Sequence, residues 1–68
     1  MREVTITTDS IRLGQFLKLT DLVDVGSDAK WMLDNGVVHV NDVPEARRGR
    51  QLVRGDVVTV DGVVLQVT

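Results

Sequence analysis

The 68-residue chain has no cysteine and a single histidine. Without thiols there is no disulfide to brace the fold and no thiolate metal site, and one imidazole cannot assemble a zinc cluster. Aromatic residues are scarce: one tryptophan, one phenylalanine and no tyrosine. No apolar run approaches the roughly 20 residues of a membrane span. Met1-Arg2-Glu3 leads into an alternating pattern and not into the apolar core of a secretory signal. The expected location is the cytoplasm, with which the lack of cysteine agrees. A chain of this length is expected to form one domain, residues 1–68, and to bury only about 60% of its unfolded surface. With no covalent staple available, its stability must come from apolar packing.

Catalytic constellations are also missing. His39 lies in an extended stretch with no serine motif around it, so no nucleophilic triad can be written. The six glycines are spread along the chain, and none forms a phosphate-cradling loop. The carboxylates fall in turns and helix caps, where they have structural work. The expectation is a protein that catalyses nothing and needs neither metal nor cofactor.

What the chain has is valine, 14 residues of it, within a hydrophobic content of 43%. The branched side chain suits a pleated surface, which points to a sheet. Val4 and Ile6 alternate with threonines as a strand over residues 3–7. Asp9 and Ser10 are good caps for a first helix over residues 11–20, in which Leu13, Phe16 and Leu17 recur at helical spacing. Leu22 and Val23 extend the buried stripe. Gly26 breaks the chain, Ser27 caps a second helix with apolar Ala29, Met32 and Leu33, and Gly36 ends it. The period then changes to two. Val38 and Val40 face inward, Asn41-Asp42 turns, and Val43-Pro44 forms an edge or irregular strand. Arg54-Gly55-Asp56 is a second turn, and Asp61-Gly62 joins strands at 57–60 and 63–67 as a type I′ hairpin. The predicted class is α+β: two short helices packed on a small, twisted, mostly antiparallel sheet.

Net charge is −2, but it is unevenly distributed. Residues 1–46 carry −4 and residues 55–68 carry −2, while Arg47, Arg48, Arg50 and Arg54 give residues 47–54 a charge of +4 with no acid among them. A local field of this kind can attract polyanions, because salt screens more distant charges beyond about 8 Å. Arginine offers a planar fork that matches phosphate oxygens, and Gly49 lets a ligand approach the backbone. The plainer reading of the run is a solvated loop that keeps a small domain soluble. On the first helix Arg12, Gln15 and Lys18 fall on one stripe about 120° wide. Lys30 projects from the second helix. Asp21, Asp24 and Asp28 lie nearby and bound the positive surface. Trp31 sits at the flank of the apolar stripe, where partial burial at the core edge is the simpler reading and a stacking platform for a base the functional one. His39 reads as an exposed strand residue with a possible bond to phosphate.

The ordered set Arg12-Leu13-Gly14-Gln15-Phe16-Leu17-Lys18-Leu19, Gly26-Ser27-Asp28-Ala29-Lys30, Gly36-Val37-Val38-His39-Val40-Asn41, Arg47-Arg48-Gly49-Arg50 and Gly55-Asp56-Val57-Val58 resembles the S4-type RNA-binding domain. It is most similar to the small stand-alone bacterial branch of that family, the YaaA/YbcJ-like proteins. The resemblance implies two helices against a small sheet, the αL motif, with the RNA surface formed by the helix pair and the adjoining basic loop. It implies RNA contact by Arg12, Gln15, Lys18, Ser27, Lys30, Arg47, Arg48 and Arg50; Trp31 and His39 are candidate further contacts on the reading of the residues alone. The implied partner is structured RNA, ribosomal or transfer RNA, bound by a monomer with the ribosome as a further partner and no membrane involved. Three features depart from the family pattern. Asp42 stands where glycine is frequent, the helix face is more acidic than in strongly basic relatives, and Trp31 occupies an often polar position. An alternative from another class is a protein-interaction module that docks a partner through the sheet edge at Val43-Pro44.

Overall fold

The computed structural model describes residues 1–20, 22–23 and 26–68, with the side chains of residues 26 and 27 outside that description. Strand β1 (Arg2–Val4) is followed by β2 (Ser10–Arg12), helix α1 (Leu13–Leu19) and helix α2 (Gly26–Asp34). Strands β3 (Val38–Val40), β4 (Val43–Pro44), β5 (Gln51–Val53), β6 (Val57–Val60) and β7 (Val63–Val67) complete the chain. A five-stranded sheet has the order β1-β7-β6-β3-β4, and β2 pairs with β5 in a separate two-stranded ribbon. All pairings are antiparallel except β1 with β7, which is parallel. The α+β class with a mostly antiparallel sheet is therefore observed as predicted.

Alternation decides which face of the sheet is buried. Val38 and Val40 of β3, Val58 and Val60 of β6, and Leu65 and Val67 of β7 all point into the core, as a period of two requires. The helices close over them with Leu13, Phe16 and Leu17 from α1 and Ala29 and Leu33 from α2. Leu52 from the ribbon, Ile6 and Val23 fill the same cluster. Leu22 packs against it in part.

Two tight turns set the register. Asn41 and Asp42 both have positive φ, 51° and 69°, as do Asp61 and Gly62 at 48° and 84°. Both are type I′ connections, whose twist matches that of the strands they join. Asp42 thus adopts the left-handed conformation that glycine would accept more cheaply. The turn is held from outside: the Asn41 side chain donates to the Asp56 carboxylate (3.2 Å) and accepts from the Val57 N–H (2.9 Å). Helix α2 ends at Gly36, φ 72°. There the Val37 and Gly36 N–H groups bond the Met32 and Leu33 carbonyls, a Schellman closure that satisfies two orphan acceptors.

Three expectations need correction. The first strand is shorter than predicted, ending at Val4, although beyond it Ile6 still bonds the carbonyl of Thr68 (2.9 Å). Asp9 and Ser10 do not cap a helix over residues 11–20. Ser10 lies opposite Val53 and Ile11 opposite Leu52 in the ribbon, and α1 begins only at Leu13, with Arg12 as an extended N-cap that makes no side-chain cap bond. The second helix starts at Gly26, one residue before the expected cap at Ser27.

Phe16 is fully buried and is the one phenylalanine of a small core. Phe16→Ala should cost about 3–5 kcal/mol, which for a domain of marginal stability leaves it largely unfolded in urea titrations monitored by circular dichroism. Asp42→Gly should act in the opposite sense, adding up to about 1 kcal/mol of stability and so raising the urea midpoint, because it removes a left-handed L-residue.

Candidate nucleic-acid interface

The arginine run forms a β-turn closed by the Arg50 N–H on the Arg47 carbonyl (3.2 Å). This turn is fixed to α1 by its backbone. The Leu13 N–H donates to the Arg50 carbonyl (2.8 Å) and the Gly14 N–H to the Arg48 carbonyl (3.0 Å). The opening N–H groups of a helix have no partner within it, and here main-chain carbonyls take the role that Asp9 and Ser10 were expected to fill. The seam is close-packed. A Cβ built at Gly14 would touch Arg48 Nε at 3.5 Å and its carbonyl oxygen at 3.6 Å, ordinary van der Waals distances. The arginine backbone therefore lies in contact with the helix.

Between the turn and the helix runs a groove of about 230 Å³ lined by Arg12, Gly14, Gln15, Lys18, Arg48 and Gly49. Four of the residues implied for RNA contact, Arg12, Gln15, Lys18 and Arg48, meet there. Among the described residues no acidic side chain lines it. A Cβ at Gly49 would find open space, so the corner of the turn is accessible. Among the described residues Arg48 has no ion pair, which leaves its guanidinium free for a ligand.

Arg47 and Arg50 are differently placed. The acid-free run of residues 47–54 folds back on Glu45, just outside it, which is 7% exposed. Its carboxylate accepts from Arg47 Nε (2.7 Å) and Arg50 Nη1 (3.2 Å), and from the Arg47 backbone N–H (3.3 Å). The Arg47 hydrogen bond holds the Glu45 carboxyl below the usual carboxylate value, against a smaller opposing effect of burial. The same bond raises the Arg47 guanidinium above its ordinary value. The Arg47 side chain remains 76% exposed, so it is oriented by Glu45 without being hidden. Arg54 donates to the Ile6 carbonyl (3.0 Å) and serves the fold.

Of the remaining predicted residues, those whose side chains are described line none of this groove. Lys30 is exposed on α2, and the Ser27 side chain lies outside the described residues, as do Asp21 and Asp24. Trp31 is 60% exposed, which overturns the expectation of partial burial at the core edge: α2 turns Ala29 and Leu33 inward and leaves Trp31 outside. His39 is half-buried, not exposed as predicted, and stands in β3 opposite Thr59 and Pro44. Sequence reasoning missed Glu45 and Gly14. The only signal for Glu45 is its position two residues before Arg47; for Gly14 the signal is a glycine inside a helical pattern.

Among the described residues there is no group of three or more His, Cys, Asp or Glu side chains placed to hold a metal ion. No helix among them is long and apolar enough to cross a membrane.

Comparison with known proteins gives concordant results. The model of the S4 domain family matches residues 4–68. The probable ribosome maturation protein RlbA of Bacillus subtilis (strain 168) is 52% identical over 59 residues, covering 87% of this chain and 83% of that protein. In the solved structures, the 30S ribosomal protein S4e from Thermoplasma acidophilum superposes with a TM-score of 0.65 at 22% identity. That match covers 85% of this chain but 31% of the ribosomal protein, and it speaks to the fold.

The Glu45 ion pairs carry a pH signature. Because the folded-state carboxyl lies below its ordinary value of 4.5, its stabilising contribution is complete above that value and is lost as pH falls through the lower folded-state value. Glu45→Gln should therefore lower the melting temperature at neutral pH, and the gap to the parent protein should close on acidification. A gap that stays constant with pH would show that the charge plays no part in holding the turn.

Proposed function

We propose, from the premise that the chain belongs to the S4 domain family, that it is an RNA-binding module that reads shape and phosphate and carries out no catalysis. The observation that carries this reading is the groove in which Arg12, Lys18 and Arg48, unpaired among the described residues, converge with no acid among the described lining residues. Guanidinium forks and a lysine ammonium on a rigid seam suit the phosphates of a structured RNA. Arg47 and Arg50, oriented by Glu45, extend the cationic surface along the turn. Lys30, Ser27 and the exposed indole of Trp31 belong to α2, where they would meet RNA reaching past α1, with Trp31 offering a face to an unpaired base. His39 is a peripheral contact in this reading.

The name of the Bacillus relative, a probable ribosome maturation protein, supports ribosomal RNA over transfer RNA as the target; in this reading the module acts as a monomer in the cytoplasm, on ribosomal particles. Residues 1–68 would act as one unit, without cofactor.

One observation favours a second reading, docking on a protein. Val43, in the edge strand β4, is 58% exposed, and an edge strand offers unpaired backbone groups. Retention of a ribosomal partner after nuclease treatment would favour that reading, and its loss would favour RNA.

Anisotropy titrations of a labelled RNA hairpin test the electrostatic mechanism. If four to six phosphates are neutralised, log K should fall with log salt with a slope of roughly −3 to −5. Replacing Arg12, Lys18 and Arg48 together with glutamine should flatten that slope by about one unit per lost contact. These three are preferred to Arg47 and Arg50, whose reversal would set new acids beside buried Glu45. A slope near zero in the parent protein would remove the mechanism.

A further inference from the structure

Beside the arginine-lined groove lies a second, larger one of about 530 Å³, walled by α1 on one side and by the segment joining β1 to β2 on the other. The two share Gln15 and Lys18. These residues are three apart on one helical stripe, so their side chains form a ridge with a groove on each flank. The flanks differ in chemistry. One presents Arg12 and Arg48; the other presents Ile11, Leu19, Thr7 and Thr8. Leu19, an apolar residue on the same side of α1 as Gln15, is 56% exposed, and Ile11 is half-buried. The Thr8 hydroxyl donates to the Ser10 carbonyl (2.6 Å), whereas the Thr7 hydroxyl has no partner among the described residues.

We propose that this second groove receives an unpaired nucleobase of the same RNA whose phosphates lie in the arginine-lined groove. The inference rests on the RNA-binding reading and adds a subsite to it. A nucleotide has the same division as the two grooves: a charged phosphate at one end, and at the other a flat apolar face with donors and acceptors along its edge. The side chains of Ile11 and Leu19 and the aliphatic stem of Lys18 offer surface to the base face. The Gln15 amide and the Thr7 hydroxyl can each donate and accept, which suits the base edge. The volume lies within the range of roughly 300–1,000 Å³ typical of small-molecule sites. Continuity across the Gln15–Lys18 ridge favours a nucleotide over an unconnected apolar ligand, because Lys18 can reach a phosphate while its stem covers the base.

The test compares three RNA hairpins with the same stem: fully paired, with a single bulged nucleotide, and with an abasic bulge. The bulged hairpin should bind about tenfold more tightly than the paired one, a modest value for one base held without an aromatic platform, and the abasic bulge should lose that advantage. Leu19→Gln and Thr7→Val, both at exposed positions, should reduce the advantage while leaving affinity for the paired hairpin and its salt slope unchanged. Equal affinity for the bulged and abasic hairpins, or an advantage untouched by both variants, would overturn the subsite while salt-dependent binding of the paired stem still stood. Loss of salt dependence on all three hairpins would overturn the phosphate reading and this inference with it. Methyl resonances of Ile11 and Leu19 that shift only with a purified ribosomal protein, and not with bulged RNA, would assign the groove to a polypeptide and overturn the proposal.

Discussion

Two backbone hydrogen bonds, from Leu13 to the Arg50 carbonyl and from Gly14 to the Arg48 carbonyl, join the arginine turn to the start of α1. The cations of the groove, Arg12 and Lys18 on one side and Arg48 on the other, face each other across that seam. It satisfies helix N–H groups that would otherwise need a side-chain cap, and it fixes Arg48 against Gly14. It also sets the turn opposite the Arg12–Lys18 stripe. The ribbon of β2 with β5 extends the same junction, since Arg12 is paired with Gln51 just before the helix begins. The helix and the turn are thus two sides of one structural unit, although more than thirty residues separate them in sequence.

Glu45 acts on the other side of the turn. A carboxylate this buried would be costly alone, but Arg47 and Arg50 supply donors to both its oxygens. The arrangement divides the arginines by role. Arg47 and Arg50 are oriented by an acid, Arg54 is tied to the Ile6 carbonyl, and Arg48 is left unpaired among the described residues at the groove. The positive patch is accordingly narrower and better ordered than a count of arginines implies.

Much of the fold was legible in the sequence because it is written in local patterns. The alternation through Val38 and Val40, the Asp61-Gly62 turn, the stripe Leu13-Phe16-Leu17 and the stop at Gly36 are each read within a few residues. The ribbon was not legible. Ser10–Arg12 and Gln51–Val53 are three-residue strands with little apolar alternation, and their pairing is a long-range event that no local signal announces. Asp9 and Ser10, good caps by type, were misread for the same reason: carbonyls from a distant turn had already taken the helix N–H groups. Glu45 escaped notice because the burial of a carboxylate is a tertiary property. Trp31 was left between two readings because tryptophan is usually buried, while on α2 the inward positions are filled by Ala29 and Leu33. The groove itself was foreshadowed only in part, by the spacing of Arg12, Gln15 and Lys18 on α1.

The account places RNA phosphate in the groove between α1 and the arginine turn. Amide chemical-shift mapping during titration with a short RNA hairpin tests that placement most directly. The account predicts that the largest shifts fall on Arg12, Gln15, Lys18, Arg48 and Gly49, with Val43 and the β3–β4 edge unmoved. Shifts concentrated on that edge, with the groove silent, would contradict it.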